Sequence, residues 1–90
     1  MNLTAIIRYF SLTVEQLTKL TDQQMAILEY IRRYGSISPM EAFAELGITK
    51  LSTRVSEMKM LGIQFEQDYE SRTNMIGKTV RFMRYRRAAA

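Results

Sequence analysis

The sequence predicts an α+β domain, mainly helical, in which a three-helix core is closed by a C-terminal β-hairpin and preceded by a short helical extension. Three observations carry this expectation. Between residues 21 and 62 apolar residues recur at helical spacing in three segments, each bounded by a capping residue or a glycine. After Gly62 the apolar residues alternate instead, the period of a half-buried strand. With 90 residues, 47% of them hydrophobic, the chain has the make-up of a packed globule and room for one core. The layout expected is an extension over residues 1–20, a domain over 21–87, and a terminal Ala88-Ala89-Ala90 without structural use that looks like a cloning remnant.

In the extension, Leu3, Ile6, Ile7 and Phe10 share one helical face, and Val14, Leu17 and Leu20 share another behind a capping box at Thr13-x-x-Gln16. Two apolar faces of this kind must pack on the domain or on another chain, so a dimer paired through these helices is one expectation. The first core helix starts at the capping box Thr21-Asp22-Gln23-Gln24 and stops at Gly35, with Ile27, Leu28, Ile31 and Tyr34 as its inward face. Ser36-Ile37-Ser38 offers a short edge strand. Ser38 as N-cap, Pro39 at the first helical position and Glu41 as the box partner then start a second helix, expected to bury Met40, Phe43 and Leu46 and to end at Gly47.

The chain turns over Gly47-Ile48-Thr49 and re-enters a helix from Lys50 to Leu61, ending at Gly62. A short helix, a tight glycine turn with a buried aliphatic, and a longer helix make a helix-turn-helix plan. Ile63 to Tyr69 and Thr79 to Tyr85 read as the two hairpin strands. Ser71 to Lys78 between them reads as a long, polar, basic tip with Asn74 and Gly77 as turn formers.

The sequence has no cysteine and no histidine, which excludes disulfides, zinc fingers, thiol nucleophiles and every histidine-based catalytic arrangement. No paired carboxylates, Gly-rich phosphate loop or activated lysine is recognisable, so the expectation is a protein that is not an enzyme, with no catalytic residues, no metal and no cofactor. The longest apolar run is Met25 to Leu28, and no signal-peptide core is evident, so a cytoplasmic protein without a membrane span is expected. Net charge is +4 but unevenly placed. Residues 71–87 hold Arg72, Lys78, Arg81, Arg84, Arg86 and Arg87 with no acidic residue, which suits a polyanionic partner.

Several motifs together resemble the small winged helix-turn-helix domains often encoded by bacteriophages and prophages. They are Thr21-Asp22-Gln23-Gln24, Ile27-Leu28 with Ile31, Gly35-Ser36-Ile37-Ser38-Pro39, Glu41-Ala42, Leu46-Gly47-Ile48, Leu51-Ser52, Arg54-Val55-Ser56-Glu57-Met58, Gly62-Ile63 and the basic run Arg81 to Arg86. The resemblance covers residues 21–87 and implies a DNA-binding fold. It points to a regulator of transcription or an accessory protein of excision or packaging, in the cytoplasm of a bacterial host. Its alternative is a winged-helix module that docks another protein, since fold does not fix function.

On a wheel of about 100° per residue, Leu51, Val55 and Met58 form the buried stripe of the last helix. The opposite face then carries Thr49, Thr53, Ser56 and Met60, with Lys50 and Glu57 on one margin, Ser52 and Lys59 on the other, and Arg54 nearer the buried edge. Short hydroxyls let a helix approach base edges, while the cations suit phosphates. The plainer interpretation of this face is a solvated amphipathic helix. In the hairpin, Arg72, Asn74, Lys78 and Arg81 are the candidate wing contacts to a minor groove or flanking phosphates of double-stranded DNA. One of Arg81 and Arg84 is expected to pair instead with Glu66 or Asp68 across the hairpin.

Overall fold

The computed structural model describes residues 2–89. Five helices precede one hairpin: α1 (Leu3–Phe10), α2 (Val14–Thr18), α3 (Asp22–Tyr34), α4 (Pro39–Leu46), α5 (Leu51–Met60), β1 (Phe65–Thr73) and β2 (Thr79–Arg87). The expected fold class is therefore present, a mainly helical α+β arrangement with the hairpin at the C-terminal end.

All three expected capping boxes form. Thr13, Thr21 and Ser38 each accept from the amide three residues on, and Gln16, Gln24 and Glu41 return a bond to the cap's own N–H. Helices α3 and α4 thus start where a hydroxyl meets the orphan amides of the first turn. At the far end of α4, Gly47 has a left-handed backbone, with φ 69°, and its N–H and that of Ile48 close back onto Phe43 O and Ala42 O. That turn aims α5 away from α4. The core lies between α1, α3, α5 and the base of the hairpin, where Ile6, Ile27, Leu28, Ile31, Val55 and Met58 are buried together.

Two inward faces differ from expectation. On α3, Tyr34 is exposed and Tyr30 is the buried tyrosine, because Tyr34 sits on the last turn, beyond the reach of the core, with its ring against that of Tyr30. On α4, Met40 and Phe43 are 74% and 60% exposed, and Ala42 is the fully buried residue, with Leu46 half-buried one turn on. An eight-residue helix presents one narrow stripe, and here alanine permits its close approach.

The antiparallel strands run in register from Phe65↔Arg87 to Thr73↔Thr79. Ile37 pairs with Tyr85 through two backbone bonds of 2.9 Å and so forms the short edge strand. The hairpin is longer than expected: Ser71 and Arg72 lie within β1, and only residues 74–78 form the tip. Asn74 N–H donates to Lys78 O and Gly77 N–H to Asn74 O. The tip is also not polar throughout, since Met75 and Ile76 occupy its outermost positions.

The N-terminal helices pack on the domain of their own chain. Ile6 is fully buried, Leu12 nearly so, and the Phe10 ring meets Phe65 at 6.0 Å. Gln16 Nε2 donates to Leu61 O at 3.0 Å, joining α2 to the end of α5. At the other terminus Ala88 N–H donates to Gln64 O and Ala89 N–H to Glu66 Oε1, so these two alanines continue the hairpin's contacts; Ala90 lies outside the described residues.

Candidate nucleic-acid interface

Helix α5 follows α4 after the turn at Gly47 and buries Leu51, Val55 and Met58, as its spacing predicts. With that stripe anchored, Thr49, Lys50, Ser52, Thr53, Ser56, Lys59 and Met60 are all exposed. The result is a helix whose outward face is built of short hydroxyls, margined by Lys50 and Lys59. Such a face can lie close to base edges, and its flanking ammonium groups can reach phosphate oxygens.

Arg54 and Glu57 do not belong to that free face. Arg54 Nε lies 3.3 Å from Glu57 Oε1, and the same oxygen accepts from Gln24 Nε2 at 3.1 Å. Arg54 Nε is buried with no well-directed hydrogen bond, so the contact with Glu57 is a charge pairing. These side chains fasten α5 to the start of α3, the helix that Gln24 also caps. Arg54 therefore acts first as a positioning residue, and Glu57 is engaged within the protein.

The six cations of residues 71–87 divide into two groups. Near the base, Arg84 donates to Glu70, to Ser36 Oγ at 3.0 Å and to Glu41 Oε1 at 2.9 Å. Arg86 pairs with Asp68 at 2.7 Å, and Arg87 stacks on the Tyr9 ring at 4.2 Å while donating to Tyr9 O. Arg86 and Arg87 thus fasten the hairpin's base to its own acids and to α1 instead of forming a free tail. Arg84 takes Glu70 and Glu41 as partners in place of Glu66 or Asp68: Asp68 stands directly opposite it on the same sheet face but pairs with Arg86, and Arg84 reaches diagonally to Glu70 and out to Glu41 at the start of α4.

Electrostatics follow this clamp. Arg84's hydrogen bonds hold the Glu70 carboxyl below the usual range. For Glu41 burial works upward, but Arg84 and the Ser38 cap outweigh it and the net shift is downward. Both carboxylates are therefore charged at neutral pH.

Beyond the clamp, Ser71, Arg72, Thr73, Asn74, Lys78, Thr79 and Arg81 are exposed. Arg81 lies over the Tyr69 ring at 4.5 Å, and Arg72 lies 3.3 Å from Glu70 while 70% of its side chain stays exposed. Asn74 Oδ1 accepts from the amides of Ile76 and Lys78 at 3.2 and 3.0 Å, so this oxygen is committed to shaping the tip. Of the residues picked from the sequence, Thr49, Lys50, Ser52, Thr53, Ser56 and Lys59 share the exposed side of α5 and its approach, Arg72, Lys78 and Arg81 the outer hairpin. Met75 and Ile76 fall within the tip expected at Ser71 to Lys78, but the polar average of that stretch hid them as candidate contacts. The signal lay in two adjacent large hydrophobes placed between turn formers.

Among the described residues no group of three acidic side chains is arranged to hold a metal, and no helix is long and apolar enough to cross a membrane. A sequence pattern described as a winged helix-turn-helix domain matches residues 22–87. Comparison with curated proteins and with solved structures gives no match.

Proposed function

The chain belongs to the winged helix-turn-helix domain family, and from that premise we propose that it binds double-stranded DNA through the outward face of α5 and the outer half of the hairpin. The observation that carries the reading is the pairing of a hydroxyl-rich helix face with a hairpin whose exposed outer half has cations and no acid. Thr49, Ser52, Thr53 and Ser56 approach base edges in the major groove, and Lys50 and Lys59 bind the phosphates beside them. Arg72, Lys78 and Arg81 bind phosphates along the hairpin, while Arg54 and Asn74 set the shape of the two contacting elements. Domains of this family typically bind DNA without catalysis, and no reaction step is assigned to this chain.

The finer role we propose is a transcriptional regulator, or an accessory protein of a transaction such as excision or packaging, in a phage or prophage setting and in the bacterial cytoplasm. It rests on the resemblance at Leu46-Gly47-Ile48 and Arg54-Val55-Ser56-Glu57-Met58. The domain so used spans residues 21–87, with 1–20 as a helical extension packed on it. A homodimer through that element would draw on Leu3 and Val14, the large apolar residues it leaves exposed. Sedimentation as a monomer at about tens of micromolar removes the dimer.

The test is fluorescence anisotropy with a random duplex at low and moderate salt, comparing the parent with a variant carrying Thr53→Glu and Arg72→Ala. With Lys50, Lys59, Arg72, Lys78 and Arg81 on phosphates, the logarithmic salt slope is expected to be about −4.5, from roughly −0.9 per contact. The variant should bind about tenfold or more weakly, since one change adds a repelling carboxylate and the other removes a contact. Absence of binding at low salt, or an unchanged variant, overturns the reading. Exposed Met40 and Phe43 favour one second reading, a protein-docking module, which then takes the lead.

A further inference from the structure

The hairpin tip is built by rule except at two positions. Asn74, before the turn, uses its backbone and its side-chain oxygen to close the loop, and Gly77 supplies the left-handed residue, with φ 81°. The two residues between them face solvent and need no particular side chain for the fold. They are Met75 and Ile76, fully exposed and 77% exposed respectively. Val14, Met40, Phe43 and Met60 are exposed as well, but Met75 and Ile76 are adjacent in the chain and stand together at the turn of the hairpin, on a body 47 Å long and 27 Å wide. Arg72, Lys78 and Arg81 stand just behind them, all exposed and with no acid nearer the tip than Glu70.

We propose that Met75 and Ile76 form an apolar wedge that enters the minor groove of double-stranded DNA and opens a base step, kinking the duplex, while Arg72, Lys78 and Arg81 hold the phosphates on either side. The inference deepens the DNA-binding reading and rests on it. A minor groove about 6 Å wide admits the narrow tip of a turn. Apolar side chains wedged between base pairs gain burial that offsets the lost stacking, and the kink lets more cationic surface reach the backbone. The pattern at the tip meets both needs, apolar at the point and cationic immediately behind.

An anionic lipid surface presents a similar combination of charge and apolar interior. It fits less well, because two side chains bring less apolar area than a single myristoyl chain, which by itself holds a protein only marginally on a bilayer. The phosphate-directed face of α5 adds to the preference for a duplex.

The experiment uses the full chain and a duplex with a central TA step, which unstacks readily, carrying 2-aminopurine beside that step and a donor–acceptor dye pair at its ends. Parent protein should raise energy transfer as the ends approach and brighten the 2-aminopurine as the step opens. A Met75→Ser/Ile76→Ser variant should melt at the parent's temperature, because neither side chain packs on the domain. It should bind about tenfold more weakly and change neither signal. Binding by the parent without either optical change, or the same changes with the variant, overturns the wedge and leaves DNA binding standing. No binding by the parent at low salt removes both. Binding to phosphatidylglycerol vesicles that depends on Met75 and Ile76, with duplex binding independent of them, assigns the tip to lipid and also overturns the proposal.

Discussion

Arg84 is the residue on which the hairpin's placement depends, because its guanidinium joins Glu70 of β1, Glu41 of α4 and Ser36 of the preceding loop. Glu41 in turn closes the α4 capping box, accepting from Ser38 N–H at 2.9 Å with the same oxygen that meets Arg84. Arg84→Met should lower stability at pH 7 by about 2 kcal/mol, less than a fully buried pair loses, because water still reaches the carboxylates. Both carboxyl pKa values are lowered in the folded state, so the stabilisation is complete above the ordinary glutamate value of about 4.3 and is lost as pH falls through the lowered values. Thermal melts between neutral pH and pH ~3 should therefore show the parent and the variant converging toward acid; a constant gap across that range would place Arg84's effect in packing alone. From the sequence one could expect the Glu41 capping box and a pairing of Arg81 or Arg84 with Glu66 or Asp68 across the hairpin, but not the partners Arg84 takes. Six basic residues in a row of seventeen suggest a free cationic segment, and only the register shows that Arg84 and Arg86 lie diagonally across from Glu70 and Asp68.

At the level of elements, the starts and stops of helices were the most legible features, because they depend on residues three apart. The same three box-closing residues also serve ties that sequence spacing does not reveal. Gln16 reaches Leu61, Gln24 reaches Glu57, and Glu41 reaches Arg84, so each cap fixes its helix both at its own start and against a distant element. Faces of short helices were less legible. Periodicity on eight residues allows Met40 and Phe43 to look inward when the true contact is Ala42. The turn between α4 and α5 can be tested directly. A Cβ added at Gly47 would meet no atom within 4 Å, so Gly47→Ala carries only the cost of the left-handed backbone, about 1–2 kcal/mol. Gly47→Asn should lose less, since asparagine tolerates that conformation. Urea midpoints showing equal losses for the two variants would mean that the turn relaxes out of its left-handed form.

For the molecule as a whole, the N-terminal helices are part of the core they precede: Ile6 is as buried as Ile27, Leu28 and Ile31. Ile6→Ala in the full chain should cost about 3 kcal/mol, within the range for a large-to-small change in a filled core, and leave a single unfolding transition. A loss below about 0.5 kcal/mol, the scale of a surface substitution, would show that residues 1–20 are merely appended. The sequence showed that these helices needed a partner, but not which surface, since Phe65 and Leu61 are remote along the chain from Phe10 and Gln16. The clamp at Arg84 has a mechanical meaning. From there to Thr79 the strand runs five residues, about 17 Å at roughly 3.3 Å each; Met83 still packs on the core, and beyond it Val80 faces a groove that Pro39 and Met40 also line. The strand is a cantilever fixed at one end. On that arm a tilt of about 10° at the root moves the tip by about 3 Å, so whatever stiffens or loosens one guanidinium among two carboxylates sets how far the free end sweeps.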